Sequence, residues 1–237
     1  MLINPEELRH NLDRLEEIEK VSLRLVTQAI YDYRITAQEI FQAESDQVAD
    51  IGEDITREAL DRLGMPKIDQ RLFGKVDYKR ACYLFQPEYA LKQALFVDSK
   101  AEKVGGQGTA TLQISQLSMI VKQVRFEKNM EVPGKLPVIV NLKGESYLTT
   151  TIFVKYNYEE ESSANVLKSI TIAAVPNGML QDRYNSNAQD TIWIAGRNAP
   201  TLGEEFRVRL SFHRLKEKAN WRVQYISLGG DSFAWDK

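Results

Sequence analysis

A strand-like run, Ala94-Leu95-Phe96-Val97-Asp98-Ser99-Lys100, ends in an acid and a lysine. Side chains of a strand alternate between its faces, so Asp98 and Lys100 share one face while Val97 and Ser99 take the other. The apolar residues before them mark a buried strand, where charged groups are costly unless paired or coordinated. A second acid, Asp77, precedes Asp98 by 21 residues, in another strand-like stretch. The turn-forming Gln86-Pro87-Glu88 between the two stretches lays them side by side and brings the carboxylates together. Two converging carboxylates make a hard-oxygen site suited to Mg²⁺. A lysine beside them can orient a water molecule or stabilise negative charge on phosphorus. The rival reading of the same residues is a plain ion pair at a strand end.

Two kinds of element must position these groups. Residues 1–66 read as helix. Asn4-Pro5-Glu6-Glu7 is a start signal, with a capping Asn, Pro in the first turn and acids at the positive end of the dipole. Leu8, Leu12, Leu15 and Ile18 follow at helical spacing, and the apolar pattern continues to Phe41. A second helix is expected from about Asp46 to Leu63, stopped by Gly64 and Pro66. After Pro66 the pattern changes to strands: Leu72 to Tyr83, Gln93 to Lys100, Leu148 to Tyr158, Leu167 to Val175, Phe206 to Phe212 and Trp221 to Ile226. Gln113 to Arg125 is expected to be helical. Gly105-Gly106-Gln107-Gly108 is a connector, since no Lys-Ser/Thr pair follows to make it a phosphate loop. Helices first and strands later predict one α+β domain over 1–237 with a mixed sheet. Residues 1–66 serve as a helical scaffold or subunit contact, and 67–237 carry the chemistry.

The 237 residues carry one cysteine, Cys82, and a net charge of −2. An intrachain disulfide is excluded, which fits a reducing compartment. No apolar run approaches the ~20 residues of a membrane span, and the N-terminus lacks the order of a signal peptide. A cytoplasmic protein is expected. The charge is uneven: residues 1–66 hold 15 acids against 7 basic residues, leaving the rest of the chain net positive. Such asymmetry permits a polyanionic partner on one part of the surface. The two histidines, His10 and His213, are too far apart to suggest a zinc site or a histidine triad. Trp193, Trp221 and Trp235 read as core or interface aromatics.

Acid, a spacer of about twenty residues, then acid-x-Lys is the nuclease pattern written PD…(D/E)xK. Val76 stands where that pattern has Pro. The stretches Gly74-Lys75-Val76-Asp77-Tyr78-Lys79-Arg80 and Leu95-Phe96-Val97-Asp98-Ser99-Lys100-Ala101 resemble the SfiI-like type II restriction endonucleases of the PD-(D/E)xK superfamily. The resemblance is colinear over most of the chain. It takes in Leu15-Glu16-Glu17-Ile18-Glu19-Lys20, Glu53-Asp54-Ile55-Thr56, Thr111-Leu112-Gln113-Ile114-Ser115-Gln116-Leu117, Leu167-Lys168-Ser169-Ile170, Arg183-Tyr184-Asn185 and Arg214-Leu215-Lys216-Glu217.

This resemblance implies a restriction-endonuclease-like mixed β-sheet core flanked by helices. It implies Mg²⁺-dependent hydrolysis of both strands of double-stranded DNA at a symmetric, G·C-rich, interrupted site, by a homodimer or homotetramer in a prokaryotic cytoplasm. Asp77, Asp98 and Lys100 become the catalytic residues and Glu53, on the second helix, a further metal-supporting acid. Gly196-Arg197-Asn198 and Phe206-Arg207-Val208-Arg209 match the base-reading segment. Arg207 and Arg209 share a strand face, and a guanidinium fork suits the O6 and N7 of guanine. Arg197 takes the place of a family lysine, which keeps the cation. His213, Arg214 and Lys216 follow that strand as candidate DNA-backbone contacts. Residues 197–222 hold 7 basic residues against 3 acids, and phosphate contacts would position without specifying sequence. Two departures stand out: Gly105–Gly108 replaces a family arginine contact, and the chain is shorter at its C-terminus. A repair or structure-specific nuclease without base readout is the main alternative. A non-enzymatic DNA-binding protein is the other.

Overall fold

The computed structural model describes residues 2–44, 48–68, 81–105, 108–162, 164–194, 207–229 and 233–237. Asp77 and Arg197 lie outside the described residues.

The start signal at Asn4 opens a 3-10 turn, Pro5–His10, rather than the long helix itself. Asn11 re-caps the chain by accepting from the Arg14 N–H, and α1 runs Leu12–Ala43. Then come α2 (Val48–Asp61), β1 (Ala81–Gln86) and β2 (Leu91–Lys103). The segment expected to be helical from Gln113 to Arg125 is not. It contains the end of β3 (Thr109–Gln113), a 3-10 turn at Ile114–Gln116, and β4 (Ile120–Arg125). In β4 the burial alternates, with Val121, Gln123 and Arg125 inward and Ile120 and Val124 exposed. That period of two is met by pairing with β5 (Lys128–Pro133), so β-branched alternation prevails over helical propensity.

β6 (Ile139–Leu142), β7 (Glu145–Glu161) and β8 (Ala164–Val175) follow. After them come α3 (Gln181–Tyr184), β9 (Trp193–Ile194), β10 (Arg207–Ser211), α4 (Phe212–Lys218) and β11 (Val223–Ser227). Arg207–Ser211 meets the expected strand, and the chain turns into α4 at Phe212, capped by the Ser211 side chain.

The main sheet has the order β1-β2-β7-β8-β11, with β6 on β7. β2 and β7 are parallel and the other pairs antiparallel, which makes the sheet mixed. The 3-10 turn at Pro87–Tyr89 closes the β1–β2 hairpin expected around Pro87. Residues 148–158 of β7 are all buried because both faces are covered. On one face Ile152, Val154 and Tyr156 pack with Ile170 and Ile172 against α1 and α2. On the other, Phe153, Ala173 and Val223 pack against Leu112, Val208, Leu210 and Trp193 of the small sheet β3-β10-β9. The result is three layers: helices, main sheet, small sheet. Among the described residues no helix is long and apolar enough to cross a membrane.

Candidate active site

β2 carries its two faces as the alternation predicted. Val97 joins the core under the helices. Ser99, buried on that face, donates to Thr56 Oγ1 of α2 at 2.7 Å, and Thr56 shares a 2.8 Å hydrogen bond with the Tyr156 hydroxyl. Gly52 brings α2 down onto β2 here. A Cβ at that position would lie 3.0 Å from Tyr156, 3.2 Å from the Ala101 nitrogen and 3.3 Å from the Lys100 carbonyl carbon. The next residue of the helix, Glu53, is half-buried. Its charge acts on Asp98.

Asp98 occupies the opposite face of β2, largely withdrawn from water. Burial holds its carboxyl above the usual carboxylate range; Lys100 and a hydrogen bond from Gln116 pull it back down, while Glu53 pushes it further up. Gln116 is oriented for this task. Its Oε1 accepts the Gln113 N–H at 2.8 Å, which turns its amide N–H₂ toward Asp98. Asp98 Oδ2 is buried with no hydrogen-bond partner among the described residues. An orphaned anionic oxygen within the field of a second carboxylate, that of Glu53, is the environment a hard divalent cation fits. Among the described residues no three His, Cys, Asp or Glu converge into a metal cage. The site as described holds Asp98 and Glu53, with Asp77 outside the described residues.

Lys100 extends along the same face, its ammonium 5.9 Å from the centroid of the Phe153 ring, and donates to the Thr111 carbonyl of β3 at 2.5 Å. That bond links the main sheet to the small one. In the small sheet Arg209 stands opposite Thr111, and Arg207 opposite Gln113. Arg207 and Arg209 are both half-buried on one face of β10, while Val208 and Leu210 face the core. The shared face expected for the two arginines is therefore present, one strand away from Lys100.

The three candidate phosphate contacts differ. The His213 side chain is 81% exposed and sits 3.3 Å from Glu217. Arg214 donates to the carbonyls of Trp193, at 3.0 Å, and Thr191. Lys216 pairs with Asp236 at 2.7 Å. The last two are tied into the fold at β9 and the C-terminal segment.

Two residues near the site were not singled out by sequence reasoning. Gln116 lay inside a segment of the family resemblance, yet nothing local marks a glutamine as a carboxylate's partner. Lys155, on β7 beside Lys100 in the parallel register, sat within a run read only as strand. A lysine in the middle of Thr-Ile-Phe-Val-Lys-Tyr was the available signal.

The comparisons with known proteins agree with this fold. The family model described as type II restriction enzyme SfiI matches residues 31–226. The curated type II restriction enzyme SfiI of Streptomyces fimbriatus is 35% identical, over 94% of this chain and 87% of its own length. A crystal structure of the tetrameric restriction endonuclease SfiI bound to cognate DNA superposes with a TM-score of 0.82 at 34% identity, covering 98% of this chain and 90% of the other. The restriction endonuclease BglI bound to its DNA recognition sequence shares the fold, with a TM-score of 0.78 at 17% identity over 96% and 95% of the two chains. The main sheet, the helical layer and the small sheet that carries Arg207 and Arg209 are therefore those of a restriction endonuclease, and the chain belongs to the SfiI family of type II restriction enzymes.

Proposed function

We propose that this enzyme is a Mg²⁺-dependent deoxyribonuclease of a prokaryotic cytoplasm that cuts both strands of double-stranded DNA at a symmetric, G·C-rich interrupted sequence. The observation that carries the proposal is the buried Oδ2 of Asp98, without a partner among the described residues, on the same strand face as Lys100. Asp77, Asp98 and, from α2, Glu53 are the oxygen ligands assigned to the ion. When bound, Mg²⁺ polarises a phosphoryl oxygen and offsets charge developing on phosphorus.

The chain's own groups do the rest. The Lys100 ammonium has three N–H donors, of which one is engaged by Thr111. The others are available to orient the attacking water and to stabilise the pentavalent phosphate. Gln116 keeps the Asp98 carboxylate from rotating. Water adds to phosphorus as the P–O bond to one sugar breaks, which leaves a phosphate on one end and a hydroxyl on the other. Arg207 and Arg209, with Arg197 from the same segment, read guanines through their bidentate forks. His213, beside Glu217, is the freely exposed group at this edge that meets a phosphate; Arg214 and Lys216 are tied into the fold. The whole chain acts as one restriction-endonuclease-like domain, with residues 1–66 as scaffold. One chain holds one site, so cutting two strands symmetrically requires at least a homodimer; the solved SfiI relative is a tetramer.

Digestion of DNA of known sequence with Mg²⁺, followed by end mapping, is the test. Discrete fragments with a common end sequence are expected. A smear, or cutting confined to junctions, overturns sequence-specific cleavage in favour of a structure-specific nuclease. Asp98→Ala and Lys100→Ala are expected to abolish cleavage while DNA binding survives; full cleavage by either sinks the assignment of the site.

A further inference from the structure

Lys155 is a buried cation that the reaction described above does not use. Its side chain is 0% exposed, and it stands beside Lys100 in the parallel pairing of β2 with β7. An unpaired buried ammonium is strongly unfavourable. This one pairs with Glu102 at 2.5 Å and donates to the Thr109 carbonyl at 2.9 Å. Lys100 donates to the Thr111 carbonyl. Thr109 and Thr111 are alternate residues of β3, so their carbonyls point the same way.

Two neighbouring ammonium groups of the main sheet therefore grip one strand of the small sheet. That strand is paired on its other side with β10: Ser211 opposite Thr109, Arg209 opposite Thr111 and Arg207 opposite Gln113. An apolar contact would join the two layers without the desolvation penalty of a buried ion pair. Directional hydrogen bonds add what an apolar contact lacks, a fixed register between the strand that carries Lys100 and the ladder that carries the arginines.

We propose that Lys155, held by Glu102, is a positioning residue that clamps β3 to the main sheet, so that the seating of Arg209 on DNA is transmitted through Thr111 to the ammonium of Lys100. This rests on the base-reading role proposed for Arg209. With the clamp in place, β3 and β10 move as one ladder, and Lys100 is aimed correctly only when Arg209 is seated. Without it, the Thr111 carbonyl drifts and the aim of Lys100 no longer depends on the base pair.

The test is a double-mutant cycle of Lys155→Met and Arg209→Ala. Single-turnover cleavage with Mg²⁺ is followed on a fragment carrying the mapped site and on one with a single G·C pair replaced. Binding is measured without Mg²⁺. Lys155→Met is expected to bind the mapped site within about threefold of the unaltered enzyme but to cleave it ~100-fold more slowly, the loss that a misplacement of about 1 Å produces. Its preference for the mapped over the altered site should shrink in step. The double variant should be no slower than the slower single one, because the two residues act along one route. Lys155→Arg, which keeps charge and donors, should recover about tenfold of the lost rate.

Rate losses that multiply in the double variant overturn the proposal, as does wild-type cleavage by Lys155→Met or an equal fall in its binding and cleavage. An Arg209→Ala enzyme that cleaves and discriminates normally removes the base-reading role itself, and the route from it falls too. Should Lys155→Met fail to fold, Glu102→Gln enters the same cycle with the same criteria. It removes the charge partner and leaves the Thr109 bond in place.

Discussion

At the scale of single residues, the candidate active site is built against stability. Asp98 is placed where its charge is poorly solvated, and its Oδ2 has no partner among the described residues. Its folded-state pKa is raised, first by burial, so the protonated form is favoured by folding. The sign follows: stability linked to this group is fully present below the unfolded carboxylate pKa and is lost as pH rises through the folded value. Asp98→Asn, which cannot ionise but keeps the shape and the Gln116 contact, should therefore be more stable than the unaltered chain at neutral pH in EDTA. A rise of roughly 2–4 °C in Tm corresponds to about 1 kcal/mol in a chain of this size. The gap should close on acidification. Thermal melts across the pH range check this; a gap that widens in acid contradicts it. The same variant should not cleave DNA.

Two contacts at the scale of elements deserve a direct trial. Gly52 lets α2 lie against β2 at Lys100 and Tyr156, where a Cβ would be tighter than ordinary packing. Gly52→Ala gains about 1 kcal/mol of helix propensity and strains this contact. The expected outcome is little change in Tm but cleavage slowed about tenfold, since the backbone at Lys100 and Ala101 must give way. An unchanged rate would show that α2 does not set the position of Lys100.

The second contact ties α1 to the main sheet. Arg222, 0% exposed, pairs with Glu19 at 2.7 Å and lies between the rings of Tyr184 and Trp221. Glu19 also accepts the Asn177 N–H at 2.8 Å. Burial raises the Glu19 carboxyl, and Arg222 opposes that shift. Arg222→Ala leaves Glu19 buried and unpaired and should destabilise the fold by about 3–5 kcal/mol in denaturant titration. Replacing both partners with apolar residues of similar volume should cost much less.

For the whole molecule, one chain supplies one Asp98–Lys100 pair, so a double-strand cut needs two chains. Sedimentation should find a dimer or larger species. Mixed assemblies of unaltered and Asp98→Ala subunits should nick one strand and convert supercoiled plasmid carrying one site to open circles, read on an agarose gel. Linear product from assemblies with only one active subunit would contradict the one-site-per-strand arrangement. DNA binding should weaken steeply with salt, as phosphate neutralisation by cationic side chains requires.

What could be read without coordinates was what local spacing encodes. Alternation placed Asp98 with Lys100 on one face of β2 and Arg207 with Arg209 on one face of β10, because a strand's period of two is a property of the backbone alone. Helical spacing located α1 and α2; the strand expected from Leu72 to Tyr83 lies outside the described residues up to residue 80, and β1 is the first strand described. The colinear residues identified the family. Local pattern failed at Gln113–Arg125, where only pairing with β5 makes the alternation of β4 worth more than helical propensity. It also gave no indication that Gln116 faces Asp98, that Lys155 stands beside Lys100, or that Glu19 meets Arg222 across 203 positions. Those partnerships come from sheet order and layer packing, which join residues remote in the chain. The shared face of Asp98 and Lys100 was thus legible from the sequence, while the tertiary structure decided what holds them: the spacing of two residues along a strand is local, and the burial that perturbs Asp98 and fastens Lys100 to the arginine-bearing sheet is not.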